Sequence, residues 1–153
     1  QVGAIFSGSD HGNRDYVEHC VAELGLKDRV RFAGFVSDDQ LVQLYRQSLA
    51  LVMPTYFGPT NLPPLEAFQL GVPVLYPDRY GLRDQVGDAA LLMDLADPQS
   101  LALHLFNLIS DPDLRIRLVA SGYKRLKYLD SFDRVGLLYR IVSDFRRVRM
   151  CWR

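Results

Sequence analysis

Short apolar runs separated by helix-period segments recur along this chain, and that alternation limits its possible folds more than any other feature. Residues 2–6, 30–32, 50–53, 72–76 and 89–93 each read as a brief strand. Between the first two, Val17, Cys20, Val21 and Leu24 fall at helix spacing ahead of Gly25, which suits the position just past a helix end. Ser37 and Gln40 stand three apart before Leu41, Leu44 and Tyr45, the spacing of a capping box. Residues 65–70 read as a short helix closed by Gly71. Asp97-Pro98 and Asp111-Pro112 each put a capping carboxylate before a proline at the first helical position. A last helix covers about residues 132–148, with Val135, Leu138, Tyr139 and Val142 on its apolar stripe. Strands written as apolar runs belong to parallel sheets covered on both faces. The prediction is an α/β fold: a doubly wound, Rossmann-like parallel sheet of five strands with helices on both faces.

Composition narrows the partners. Eighteen basic and eighteen acidic residues cancel over 153 positions, whereas a duplex-binding surface carries a basic excess, so no nucleic-acid partner is expected. Cys20 and Cys151 lie far apart in a chain too large to depend on disulfides; they read as reduced thiols in a cytoplasmic protein. Apolar runs such as residues 49–54 are too short for a bilayer, which needs about 20 residues. The opening Gln-Val-Gly-Ala-Ile-Phe, with neither Met nor a charged leader, reads as an internal segment of something longer.

Ligands of open parallel sheets collect at the carboxyl ends of the strands. The segment 54–64 follows a strand, precedes a helix and is unusually long, which points to function. Several chemistries find no support. There is no phosphate-loop lysine and no G-x-G-x-x-G after a strand, and His11, His19 and His104 make no zinc pattern. Asp111-Pro112-Asp113 is formally a D-x-D metal motif, but its place at a helix start makes capping the better reading. No nucleophile motif occurs, so no catalytic residue is assigned, and no metal or other cofactor is expected.

What remains is the run of residues 53–68, a loop feeding a helix N-terminus, where unpaired N–H groups and the helix dipole favour an anion. Pro63 and Pro64 lack N–H, which leaves Thr60, Asn61, Leu62, Leu65 and Glu66 as donors. On spacing alone Glu66 is a first-turn acid that complements the dipole.

At this stretch the chain resembles the C-terminal domain of the family-four retaining glycosyltransferases, also called glycosyl transferases group 1, which have the two-domain GT-B architecture. F-x-G-x-V corresponds to residues 32–36, L-x-x-L-Y to residues 41–45, and the strand ending P-T to Pro54-Thr55. L-P-x-L-E-A corresponds to residues 62–67, G-x-P-V to residues 71–74, and V-G-D-A-A to residues 86–90. Several motifs in order, over nearly the whole chain, carry more weight than any one of them.

The resemblance implies a retaining, metal-independent transferase whose donor, a UDP-, GDP- or ADP-sugar, binds this domain. The acceptor, a saccharide or a lipid-linked group, would sit on a separate N-terminal domain that this sequence does not include. By the same resemblance Glu66 is the family's second glutamate, which takes the donor ribose hydroxyls. The backbone at Thr60, Asn61 and Leu62 corresponds to a Gly-rich turn near the phosphate and sugar, and Phe35 and Val36 to a segment along the base. Gly58 stands where the family's first glutamate contacts the transferred sugar, and the expectation is that this contact would pass to Thr60 or Asn61. A non-catalytic nucleotide-binding module, and a phosphorylase or epimerase of the same architecture, are the competing expectations.

The register also implies that the chain starts at the family's second strand, leaving its pyrophosphate-binding Arg and Lys upstream. In the order 3-2-1-4-5-6 the missing strand is central. Its slot calls for another segment, a second chain (hence self-association through the incomplete sheet) or closure of the neighbouring strands, because unpaired backbone groups are costly when buried. The basic end, residues 146–153, reads either as a solvated helix terminus or as an interfacial anchor giving peripheral membrane contact.

Overall fold

A computed structural model describes residues 2–58 and 61–150 of the chain. They pack as two compact units, Gln1–Leu44 and Tyr45–Arg153. Cys20 is a free thiol, whereas Cys151 and the rest of the basic end beyond residue 150 lie outside the described residues.

The first unit is a β-α-β turn of chain followed by the start of another helix. Strand β1 (Ala4–Ser7) leads to helix α1 (Arg14–Glu23) and strand β2 (Val30–Gly34). The strands pair in parallel, with Ala4 opposite Val30 and Phe6 opposite Phe32. Phe6 and Phe32 stack with ring centroids 5.2 Å apart. Helix α1 stops as its glycine requires: Gly25 adopts φ 67°, a left-handed conformation that closes helix ends at little steric cost. Helix α2 (Asp38–Gln47) starts with the expected capping box. The Ser37 N–H donates to Gln40 Oε1 at 2.9 Å, and the Gln40 N–H donates to Ser37 Oγ at 3.4 Å.

The second unit holds a three-stranded parallel sheet in the order β3-β4-β5, from β3 (Leu51–Val52), β4 (Val74–Pro77) and β5 (Ala90–Met93). Every residue of β4 is buried, as suits the middle strand of a covered sheet. Helix α3 (Leu62–Gln69) joins β3 to β4, and the short α4 (Leu82–Val86) with a 3-10 turn at Gly87–Ala89 joins β4 to β5. Helices α5 (Pro98–Ser110), α6 (Pro112–Asp130) and α7 (Arg134–Met150) follow. Leu75, Met93, Leu108 and Leu118 form the buried centre, with Val52, Leu91, Leu101 and Leu105 packed around it. Among the described residues no helix is long and apolar enough to cross a membrane.

Both proline-marked helices are capped as expected. Asp97 accepts from the Gln99 N–H and Asp111 from the Leu114 N–H, each at 2.9 Å. Asp111 therefore uses its carboxylate at the start of α6, as the capping reading of Asp111-Pro112-Asp113 requires.

Parallel strands flanked by helices are the predicted class. The single sheet becomes two, β1-β2 and β3-β4-β5. Removing the first strand from the order 3-2-1-4-5-6 leaves the pair 3-2 and the triplet 4-5-6, the same two groupings. Element ends differ from expectation by a few residues. Strand β3 keeps two of four expected residues, and α4 is an addition, since five residues are too short to show a helical period.

Candidate functional site

The largest correction falls on α3. It begins at Leu62, not at residue 65, so Pro63 and Pro64 lie inside its first turn. Prolines are tolerated there because the N–H groups they lack would have no partner within the helix. Only the first four positions of a helix carry such orphan donors. With the start at Leu62 and Asn61 as the residue before it, Leu65 and Glu66 drop out of the expected donor set. Asn61 and Leu62 keep theirs, and Thr60 lies outside the described residues.

The shift also changes Glu66. No acidic residue occupies the first turn of α3, so the reading of Glu66 as a first-turn dipole partner does not hold. Its carboxylate is instead met from α2. The Tyr45 hydroxyl, on a side chain only 7% exposed, donates to Glu66 Oε2 at 3.1 Å and stands 3.3 Å from the Pro63 carbonyl. Burial, and then the neighbouring Glu66 charge, push the Tyr45 phenol well above its usual range, so it remains a hydrogen-bond donor.

Gly58 and Asn61 are brought together. A Cβ built on Gly58 would stand 2.6 Å from Asn61 Cγ, with Oδ1 and Nδ2 closer still, so the asparagine amide already fills that space. Asn61 in turn donates from Nδ2 to the Tyr76 hydroxyl, which donates to Gln85 Oε1 at 3.2 Å. Gln85 Nε2 donates back to the Asn61 carbonyl. Ahead of this group, Thr55 Oγ1 donates to the Phe57 carbonyl at 2.7 Å, and the Arg79 guanidinium lies 4.7 Å from the Tyr56 ring centroid.

Phe35 and Val36 belong to the first unit, just beyond β2. Phe35 is 86% exposed and Val36 half-buried, so the aromatic face is open to a ligand. Gly58, Asn61, Leu62 and Glu66 belong to the second unit. Among the described residues no group of three His, Cys, Asp or Glu side chains is placed to hold a metal.

Sequence reasoning missed Tyr45, Tyr76 and Gln85 as site residues. Tyr45 is visible in the sequence as part of an apolar stripe and as the last residue of the L-x-x-L-Y pattern, neither of which names its partner, and Tyr76 only as a strand residue. Both act through a hydroxyl whose partner is remote, 21 residues away for Tyr45 and Glu66.

Residues 2–125 match the family described as glycosyl transferases group 1. The O-antigen chain mannosyltransferase B of Escherichia coli is 33% identical over 124 residues, which is 80% of this chain and 32% of that protein. The chain therefore spans about a quarter to a third of the length of the curated relatives it matches. Among solved structures, a sucrose-phosphate synthase from Thermosynechococcus elongatus superposes with a TM-score of 0.74 at 26% identity, over 96% of this chain and 38% of that one. The HepE protein of Anabaena, in complex with UDP and glucose, gives a TM-score of 0.70 at 25% identity, over 95% of this chain and 41% of that one. The chain belongs to the glycosyl transferases group 1 family.

Proposed function

We propose that this chain is the donor-binding part of a retaining, metal-independent glycosyltransferase that uses a nucleotide-sugar. It would work as the C-terminal domain of a two-domain protein whose other domain holds the acceptor. The observation that carries the reading is the Glu66 carboxylate. It is set back from the helix terminus and presented by a buried tyrosine hydroxyl at 3.1 Å, so dipole compensation does not account for it. A carboxylate so held accepts hydrogen bonds from vicinal hydroxyls, as the ribose of a nucleotide offers. The Asn61 and Leu62 amides beside the loop suit the phosphate and sugar end. The UDP complex of the HepE relative supports a nucleotide as ligand. Asp111 uses its carboxylate on the α6 cap, consistent with chemistry that needs no D-x-D metal site.

The domain's contribution is to orient the donor and to offset charge on the departing diphosphate. Alone it would lack the acceptor side and show little transfer. The test is thermal shift of the full-length protein with UDP, GDP and ADP, followed by transfer from the matching nucleotide-sugars. Stabilisation by one nucleotide together with retained anomeric configuration in the product is the expected result. Binding with no turnover would favour a non-catalytic module, a sugar phosphate as product would favour a phosphorylase, and no stabilisation by any of the three would end the reading.

A further inference from the structure

An asparagine at the residue before a helix ordinarily accepts an N–H from two or three residues on. Asn61 holds that position, but the residues concerned are Pro63 and Pro64, which have no N–H to give. Its side chain makes no capping bond. The carboxamide is thereby released for another role, and three elements of the fold hold it. Nδ2 donates to Tyr76, which is wholly buried at β4, and Tyr76 donates to Gln85 on α4. Gln85 is fixed in turn by Arg125 of α6, whose Nε donates to the Gln85 carbonyl at 3.0 Å.

This held amide lies over the bare backbone of Gly58, with its Cγ 2.6 Å from where a Cβ would be. Any side chain at position 58 would displace it. Oδ1 has no partner among the described residues, and Nδ2 uses one of its two hydrogens on Tyr76. Among the described residues the group thus keeps both an acceptor and a donor unused, against Tyr76 toward the carboxyl end of β4, and ligands of parallel sheets gather at such strand ends. Along α3, the five positions from Asn61 to Glu66 cover about 7.5 Å at about 1.5 Å per residue. A ligand whose ribose meets Glu66 therefore reaches Asn61 with a more distal part.

The geometry points to Asn61 as a specificity-determining residue for the sugar of the donor. Its neutral carboxamide, held over Gly58 by Tyr76 and Gln85, offers both a donor and an acceptor to a sugar hydroxyl. This inference rests on the reading that the chain binds a nucleotide-sugar. Gly58 and Asn61 then form one device, because a side chain at 58 and a correctly placed amide at 61 exclude each other.

The test compares two ligands in the full-length protein: whichever of UDP, GDP and ADP binds the wild type best, and the sugar conjugates of that same nucleotide. Asn61→Ala removes the amide, Gly58→Ala displaces it, and Tyr76→Phe frees it while keeping the ring in the core. Asn61→Ala and Gly58→Ala are expected to weaken binding or kcat/KM for the preferred nucleotide-sugar about tenfold. Affinity for the free nucleoside diphosphate should stay within about twofold. Tyr76→Phe should show the same selectivity with a smaller loss. Equal losses for both ligands, or no loss for either, would overturn the role. If the wild type binds none of the three diphosphates, the donor reading itself falls and this inference with it.

Discussion

Gly122→Ala is the change whose sign the packing decides most clearly. On propensity alone alanine should help, since glycine inside a helix costs about 0.8–1.0 kcal/mol relative to alanine. Gly122 is on α6 where that helix meets α3, and a Cβ there would stand 2.8 Å from Phe68 Cδ1, 3.2 Å from Cγ and 3.3 Å from Cβ. Rotating the ring does not relieve all three contacts, because one is to Phe68 Cβ itself. Phe68 is 2% exposed, so it has no open space to move into. Overpacking of this kind costs about 1–3 kcal/mol, and a contact this short to a confined ring belongs in the upper part of that range. The net expectation is a destabilisation of about 1–2 kcal/mol, or roughly 2–8 °C in the melting transition. Thermal and urea melting of the full-length protein would measure it. Phe68→Leu combined with Gly122→Ala should be less destabilising than the sum of the two single changes, by at least about 0.5 kcal/mol. An unchanged or raised melting temperature for Gly122→Ala would refute the close approach of α3 to α6.

Tyr45→Phe keeps the buried ring and removes the hydroxyl that meets Glu66. A hydrogen bond to a charged group is worth about 1.5–3 kcal/mol, and water can reach this half-buried carboxylate, so the lower end applies. Calorimetry should show nucleoside diphosphate binding weakened roughly tenfold, and an unchanged constant would sever Tyr45 from the site. Asp111 has its carboxyl held below the usual value of 3.8, chiefly by the Leu114 N–H. A lowered folded-state value means the contribution is present above pH 3.8 and is lost as pH falls through the folded value. Asp111→Asn keeps an acceptor for the cap and should flatten the stability profile below about pH 4; an unaltered acid limb would show that this cap does not titrate.

What could be read in advance was what neighbours in sequence decide. The Ser37–Gln40 box and the Asp97 and Asp111 caps are local exchanges of hydrogen bonds, and each stands as the spacing implies. The alternation of apolar runs with helical periods likewise carries the α/β class. The start of α3 is misplaced in the sequence reading because two prolines look like a barrier to a helix, although in the first turn they remove only donors with no partner. The details of the site are hidden for a different reason. The contacts of Tyr45 with Glu66 and of Asn61 with Tyr76 and Gln85 join residues brought together only by folding. Tyrosine in an apolar stripe gives no hint of which carboxylate its hydroxyl will meet. The resemblance puts Glu66 and Gly58 in a pattern, but only the folded chain shows an amide occupying the space beside Gly58.

The central claim is that Glu66 receives the ribose of a nucleotide. Its most direct test is calorimetric binding of the preferred nucleoside diphosphate and its 2′,3′-dideoxy analogue to the full-length protein and to Glu66→Ala. The wild type should favour the ribose form at least about tenfold, corresponding to about 1.4 kcal/mol, and Glu66→Ala should bind the two forms alike. A preference for ribose that survives intact in Glu66→Ala would contradict the account.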